Sequence, residues 1–79
     1  MSKQLIVNAD DFGRHILINR AVERGVAQGL IRSATVMVTG AAFEEAVALA
    51  RRTPALGLGI HFTLVNARPV LPASDIPSL

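Results

Sequence analysis

The chain has 79 residues, eight Lys/Arg against six Asp/Glu for a formal charge of +2, and no cysteine; this allows one domain that buries only ~60–65% of its unfolded surface, without disulfides or thiolate metal sites. The basic residues are scattered from Lys3 to Arg68, with Arg51-Arg52 the one adjacent pair, and the only aromatics are Phe12, Phe43 and Phe62, so the basic stripe with stacking groups of a nucleic-acid module is absent. No apolar run approaches the ~20 residues of a membrane span, and Met1–Val7 is too short an apolar start for a signal peptide, which makes the cytoplasm the expected location.

In chain order, Leu5-Ile6-Val7 reads as a short buried strand ending at the polar turn Asn8-Ala9-Asp10-Asp11-Phe12-Gly13. Ile18, Val22, Gly25, Val26 and Gly29 then recur at helical spacing, with Arg20, Glu23, Arg24 and Gln28 mostly toward solvent; Gly29 is placed to cap the C-terminus. Ala34-Thr35-Val36-Met37-Val38-Thr39 reads as a second strand, broken by Gly40. Phe43, Ala46, Val47 and Ala50 form the stripe of a second helix. Glu44 and Glu45 in its first turn and Arg51 and Arg52 in its last complement the dipole, and Thr53-Pro54 stops it. From Gly57 to Leu64 the pattern has period two: Leu58, Ile60, Phe62 and Leu64 share one face, and Gly59, His61 and Thr63 the other. Residues 66–79, with Pro69, Pro72 and Pro77, form an irregular tail or connection.

The predicted fold class is therefore α/β, a βαβαβ unit with a parallel sheet. Two right-handed crossovers put both helices on one face. Parallel sheets are normally covered on both faces, and nothing in 79 residues covers the face of Gly59, His61 and Thr63. The chain is expected to be a partial domain, the N-terminal part of a (β/α) barrel whose interior that face would line, or to self-associate over the bare face.

Asp10, Asp11 and His61 converge on the rim where parallel strands end. Neighbouring carboxylates repel unless a proton or cation separates them, and a divalent ion resolves that conflict. Each residue also has an ordinary reading. An Asp-Asp pair before a helix is commonly a cap and a solvated turn, and a lone strand histidine is commonly a packed core residue. The small Gly59 and Thr63 beside His61 leave space that suits a ligand better than a filler. A nucleotide-binding reading fails, because Gly57-Leu58-Gly59 lies inside a strand rather than in a glycine-rich loop before a helix.

Asn8-Ala9-Asp10-Asp11-Phe12-Gly13 resembles the first signature of the YdjC-like carbohydrate deacetylases, and Gly59-Ile60-His61-Phe62-Thr63-Leu64 the second. Ser33–Val38 resembles the strand between them. The tail Arg68-Pro69-Val70-Leu71-Pro72 and Ile76-Pro77 is similar to the branch associated with hopanoid biosynthesis. The resemblance implies an irregular, TIM-barrel-like α/β barrel longer than this chain, and a metal-dependent hydrolase that removes the N-acetyl group from an amino sugar or glycolipid. It implies Asp11 and His61 as two ligands of a divalent metal ion, Mg²⁺ or Zn²⁺, with Asp10 as the general base and a second ligand histidine beyond Leu79. The 79-residue chain alone is then expected to be inactive, a non-catalytic, self-associating α/β fragment. Three departures from the family pattern stand out: Asn66-Ala67 for Glu-Gly, Phe62 for Leu, and Arg14-His15-Ile16 for a smaller or more polar loop. His15 reads as a surface loop residue rather than a ligand.

Overall fold

The structure, a computed structural model, describes residues 3–65 and 67–78. Asn66, one of the departures above, and the terminal residues 1, 2 and 79 lie outside the described residues. The elements run β1 (Asn8–Phe12), α1 (Ile16–Ala27), β2 (Ser33–Val36), α2 (Phe43–Arg51) and β3 (Gly57–Ile60), and the tail carries a 3-10 turn at Ala73–Asp75. β2 is central and pairs in parallel with β1 and β3. The predicted βαβαβ order and parallel sheet are thus observed.

Strand boundaries differ from the sequence reading, for reasons visible in the ladder. Pairing begins at Asn8 opposite Ser33, so Leu5, Ile6 and Val7 lie ahead of β1 and are exposed. β2 stops at Val36 instead of Thr39 because the chain turns at Met37–Gly40, where the Gly40 N–H donates to the Met37 carbonyl at 3.0 Å. β3 stops at Ile60 instead of Leu64. The His61 N–H still donates to the Val36 carbonyl at 3.0 Å, but β2 has turned away beyond that point, and Phe62 to Leu64 pair with no strand among the described residues.

Both helices pack on one face of the sheet. Phe12, Ala34 and Val36 meet Val22 of α1, Ala46 and Leu49 of α2, and Leu56. Phe12 and Ala46 are fully buried. Leu49 joins the predicted stripe of α2 because it follows Ala46 by three residues. α1 ends as expected at Gly29, whose φ of +76 suits a residue without Cβ. The Leu30 N–H donates to the Gly25 carbonyl at 2.9 Å and the Gly29 N–H to the Val26 carbonyl at 3.0 Å, which is the Schellman arrangement. His15 caps the other end, its Nδ1 accepting from the Leu17 N–H at 3.0 Å. It is an exposed loop residue, as expected, and its local role is that cap.

The second face carries Asn8, Asp10, Ser33, Thr35, Gly59 and His61. This face is polar. The exposed apolar area lies elsewhere: Leu58 and Ile60 are in register with Ala34 and Val36, hence on the helix side, yet they are 47% and 61% exposed because the helix-side core gathers over β1 and β2 and takes in no residue of β3. Among the described residues no helix is long and apolar enough to cross a membrane.

Candidate active site

Adjacent residues on a regular strand point to opposite faces, so Asp10 and Asp11 could not both serve one side of the sheet. The structure places them inside β1, not just past its end, and at an irregularity. Ala9 is opposite Ala34, but Phe12 is opposite Val36: three steps along β1 match two along β2. The extra residue is Asp11, whose φ of 62 is the one positive value among the described non-glycine residues. This is a β-bulge. It resets the alternation, so Ala9 and Phe12 both face the helices while both carboxylates stay on the other side. The left-handed conformation costs on the order of 1–2 kcal/mol for an ordinary residue, and Asp is among the residues that adopt it most readily.

The turn after the bulge is closed by the Arg14 N–H donating to the Asp11 carbonyl at 3.0 Å. The Gly13 and Gly40 backbones then press together. The Ala42 N–H donates to the Gly13 carbonyl at 2.9 Å, and a Cβ added at Gly40 would lie 2.2 Å from that carbonyl oxygen. The β1–α1 turn and the β2–α2 loop therefore form one packed rim.

On this rim the three expected residues come together. His61 Nε2 lies 3.6 Å from Asp11 Oδ1. His61 Nδ1 lies 3.3 Å from Thr35 Oγ1 and 3.5 Å from the Asp11 N–H. The Thr35 hydroxyl donates to Asp10 Oδ1 at 3.2 Å, and the Asn8 side-chain amide donates to the same oxygen at 3.1 Å. A hydroxyl has one proton. The Asp11 N–H can only donate, so His61 Nδ1 accepts from it, while the Thr35 hydroxyl lies between Asp10 and the imidazole. His61 Nε2 faces the Asp11 carboxylate, and this separation accommodates either a proton carried by Nε2 or a metal ion shared by the two groups. Two donors ~2.1 Å from a common tetrahedral ion stand roughly 3.4 Å apart, so Asp11 and His61 fit a shared ion. An imidazole whose other nitrogen is hydrogen-bonded is also the usual state of a metal-ligating histidine. Among the described residues no group of three or more His, Asp or Glu is gathered as a ligand set, so these two side chains would be a partial set.

The ordinary reading of Asp10-Asp11 as a helix cap is not what the structure shows, since His15 caps α1. Arg14 instead pairs with Asp11, its Nη1 donating to Oδ2 at 3.4 Å. Thr63 lies next to the site through its backbone neighbour, its hydroxyl donating to the His61 carbonyl at 3.1 Å. Sequence reasoning did not single out Thr35 or Asn8. Period two along β2 places Thr35 two residues from Ser33 on one face, but only the register shows that this face meets Asp10 and His61.

The chain is 46% identical over 76 residues to a carbohydrate deacetylase of Brevibacillus brevis, a match covering 96% of this chain and 30% of the relative. It is 43% identical over 79 residues to a chitooligosaccharide deacetylase of Salmonella paratyphi B, covering all of this chain and 30% of that one. It superposes with a TM-score of 0.86 on the crystal structure of an Enterococcus faecalis V583 protein provisionally assigned to cellobiose-phosphate cleavage, at 37% identity, over 99% of this chain and 31% of that one. The chain thus spans about three-tenths of the length of the curated relatives it matches. The family model for YdjC-like proteins matches residues 4–79, which include the sheet, the bulge and the rim, and the chain belongs to the YdjC-like family.

Proposed function

We propose that the protein to which this chain contributes is a metal-dependent hydrolase that removes the N-acetyl group from an amino sugar or glycolipid. The observation that carries this reading is His61 Nε2 facing Asp11 Oδ1 at 3.6 Å. The names of the relatives, carbohydrate and chitooligosaccharide deacetylase, supply the substrate class. In this reading Asp11 and His61 hold a divalent ion, Mg²⁺ or Zn²⁺; carboxylate and imidazole together do not choose between them. When bound, the ion supplies Lewis-acid polarisation of the amide carbonyl. Asp10 is the general base. Its Oδ1 is occupied by Asn8 and Thr35, which fixes the carboxylate and leaves Oδ2 to take a proton from water. Thr35 couples base and ligand, since it touches both Asp10 and His61.

We place the protein in the cytoplasm and, on its tail from Arg68 to Pro77, in the branch associated with hopanoid biosynthesis. The 79-residue chain by itself supplies two ligands and a base, and is proposed to be inactive and to self-associate. The exposed Leu58 and Ile60 favour the helix side of β3 for that contact over the polar face.

The test is acetate release from chitobiose. The full chain is expected to release acetate, to lose that activity on chelation and to regain it with added metal. The 79-residue chain is expected to release none. Release by this chain alone, or chelator-resistant release by the full chain, would contradict the reading.

A further inference from the structure

Asn19 is the one polar residue among the described residues that is completely buried. It lies on α1, and the catalytic roles proposed above do not involve it. Its Oδ1 accepts from the Gly13 N–H at 2.7 Å. Its Nδ2 donates to the Ala42 carbonyl at 3.0 Å and to Glu45 Oε1 at 3.4 Å. The orientation of the amide is fixed by these partners, because the Gly13 N–H needs an acceptor and the Ala42 carbonyl needs a donor. One side chain thus ties together the turn after β1, the loop before α2 and the first turn of α2.

The turn it grips is the one that shapes the rim. Gly13 is two residues from Asp11, and the Gly13 N–H is held by Asn19 while its carbonyl is held by the Ala42 N–H at 2.9 Å. Both ends of that peptide neighbourhood are therefore fixed to α1 and to the β2–α2 loop. Asp11 holds its left-handed φ of 62 two residues before this anchored point. A backbone conformation of that kind persists where the surroundings over-determine it. We infer that Asn19 is a positioning residue: by clamping Gly13 to Ala42 it holds Asp11 in the bulged conformation that turns its carboxylate toward His61. Asn19 itself touches neither Asp10, Asp11 nor His61.

The inference deepens the proposed metal reading and rests on it for its functional consequence, but its structural part can be measured separately. The experiment compares wild type, Asn19→Ala and Val22→Ala in the full chain. Val22→Ala removes a buried side chain from the same helix without touching Gly13. The φ of Asp11 is read from its backbone chemical shifts and the coupling between its amide and α protons, and Mn²⁺ affinity is read by titration. In Asn19→Ala, Asp11 is expected to leave the left-handed region and Mn²⁺ affinity to fall roughly 10–100-fold, the range of an outer-shell change. Val22→Ala is expected to retain both. A folded Asn19→Ala with the wild-type Asp11 conformation would overturn the inference. Should wild type bind neither Mn²⁺ nor Zn²⁺, the metal reading fails, while the Asp11 conformation still decides the role of Asn19. Should Asn19→Ala not fold, hydrogen exchange in wild type decides: a Gly13 amide protected like those of β2 supports the clamp, and one exchanging at loop rates contradicts it.

Discussion

The two faces of this sheet are built from alternate residues of the same three strands and held by different forces. On the helix side Phe12, Ala34, Ala46 and Leu49 are almost entirely removed from water, and close packing accounts for their cohesion, with Asn19 the one buried polar side chain among the described residues. On the other side Asn8, Asp10, Ser33, Thr35 and His61 form a chain of hydrogen bonds over a surface with little apolar area. The difference teaches how a short strand can serve both. Strict alternation would send one of two adjacent carboxylates into the core, and one inserted residue at Asp11 prevents that. The bulge is the point at which packing and chemistry are made compatible.

The comparison can be tested by breaking each side. The largest effect on stability is expected from Phe12→Ala, which removes a fully buried ring; a loss of about 3–5 kcal/mol is predicted in denaturant unfolding of the full chain, enough to unfold a marginal domain. Gly40→Ala comes next. Its Cβ would lie 2.2 Å from the Gly13 carbonyl oxygen, and the forced separation of the two loops is predicted to cost about 1–3 kcal/mol. Thr35→Val keeps the shape of the side chain and removes the hydroxyl. Stability is expected to fall by only about 1 kcal/mol, whereas divalent-ion affinity falls roughly 10-fold or more, because His61 Nδ1 and Asp10 lose their shared partner. The smallest effect is Arg14→Ala. Its pair with Asp11 is exposed and 3.4 Å long, so the change in melting is expected to stay within about 1 kcal/mol. A loss in Arg14→Ala as large as that in Gly40→Ala would mean that the open face contributes to stability much as the packed face does.

Much of this arrangement was legible in the residues. Ile18, Val22 and Val26 mark the buried side of α1, Phe43 and Ala46 that of α2, and Leu58 and Ile60 the period-two run of β3, so the order of elements follows from hydrophobic spacing. Asp10, Asp11 and His61 are brought to one rim, although the two carboxylates reach it through the irregularity inside β1 and not from past its end. The strand limits were less legible because they depend on partners: Leu5-Ile6-Val7 has the composition of a strand, but pairing starts at Asn8 opposite Ser33. The bulge left only a faint trace, the tolerance of Asp for a left-handed backbone. Thr35 became visible only through the register that sets it beside Asp10 and His61. Asn19 did have a signal. It precedes Val22 by three residues and Val26 by seven, so a polar amide stands on the apolar stripe of α1, where a buried side chain must find partners.

The central claim is that Asp11 and His61 share one divalent ion on the polar face. Calorimetric titration of the full chain with Zn²⁺, in wild type, Asp11→Ala and His61→Ala, tests it most directly. Saturable binding in wild type and its loss in both variants, with folding intact by circular dichroism, is the predicted result. Equal affinity in all three proteins would contradict the assignment.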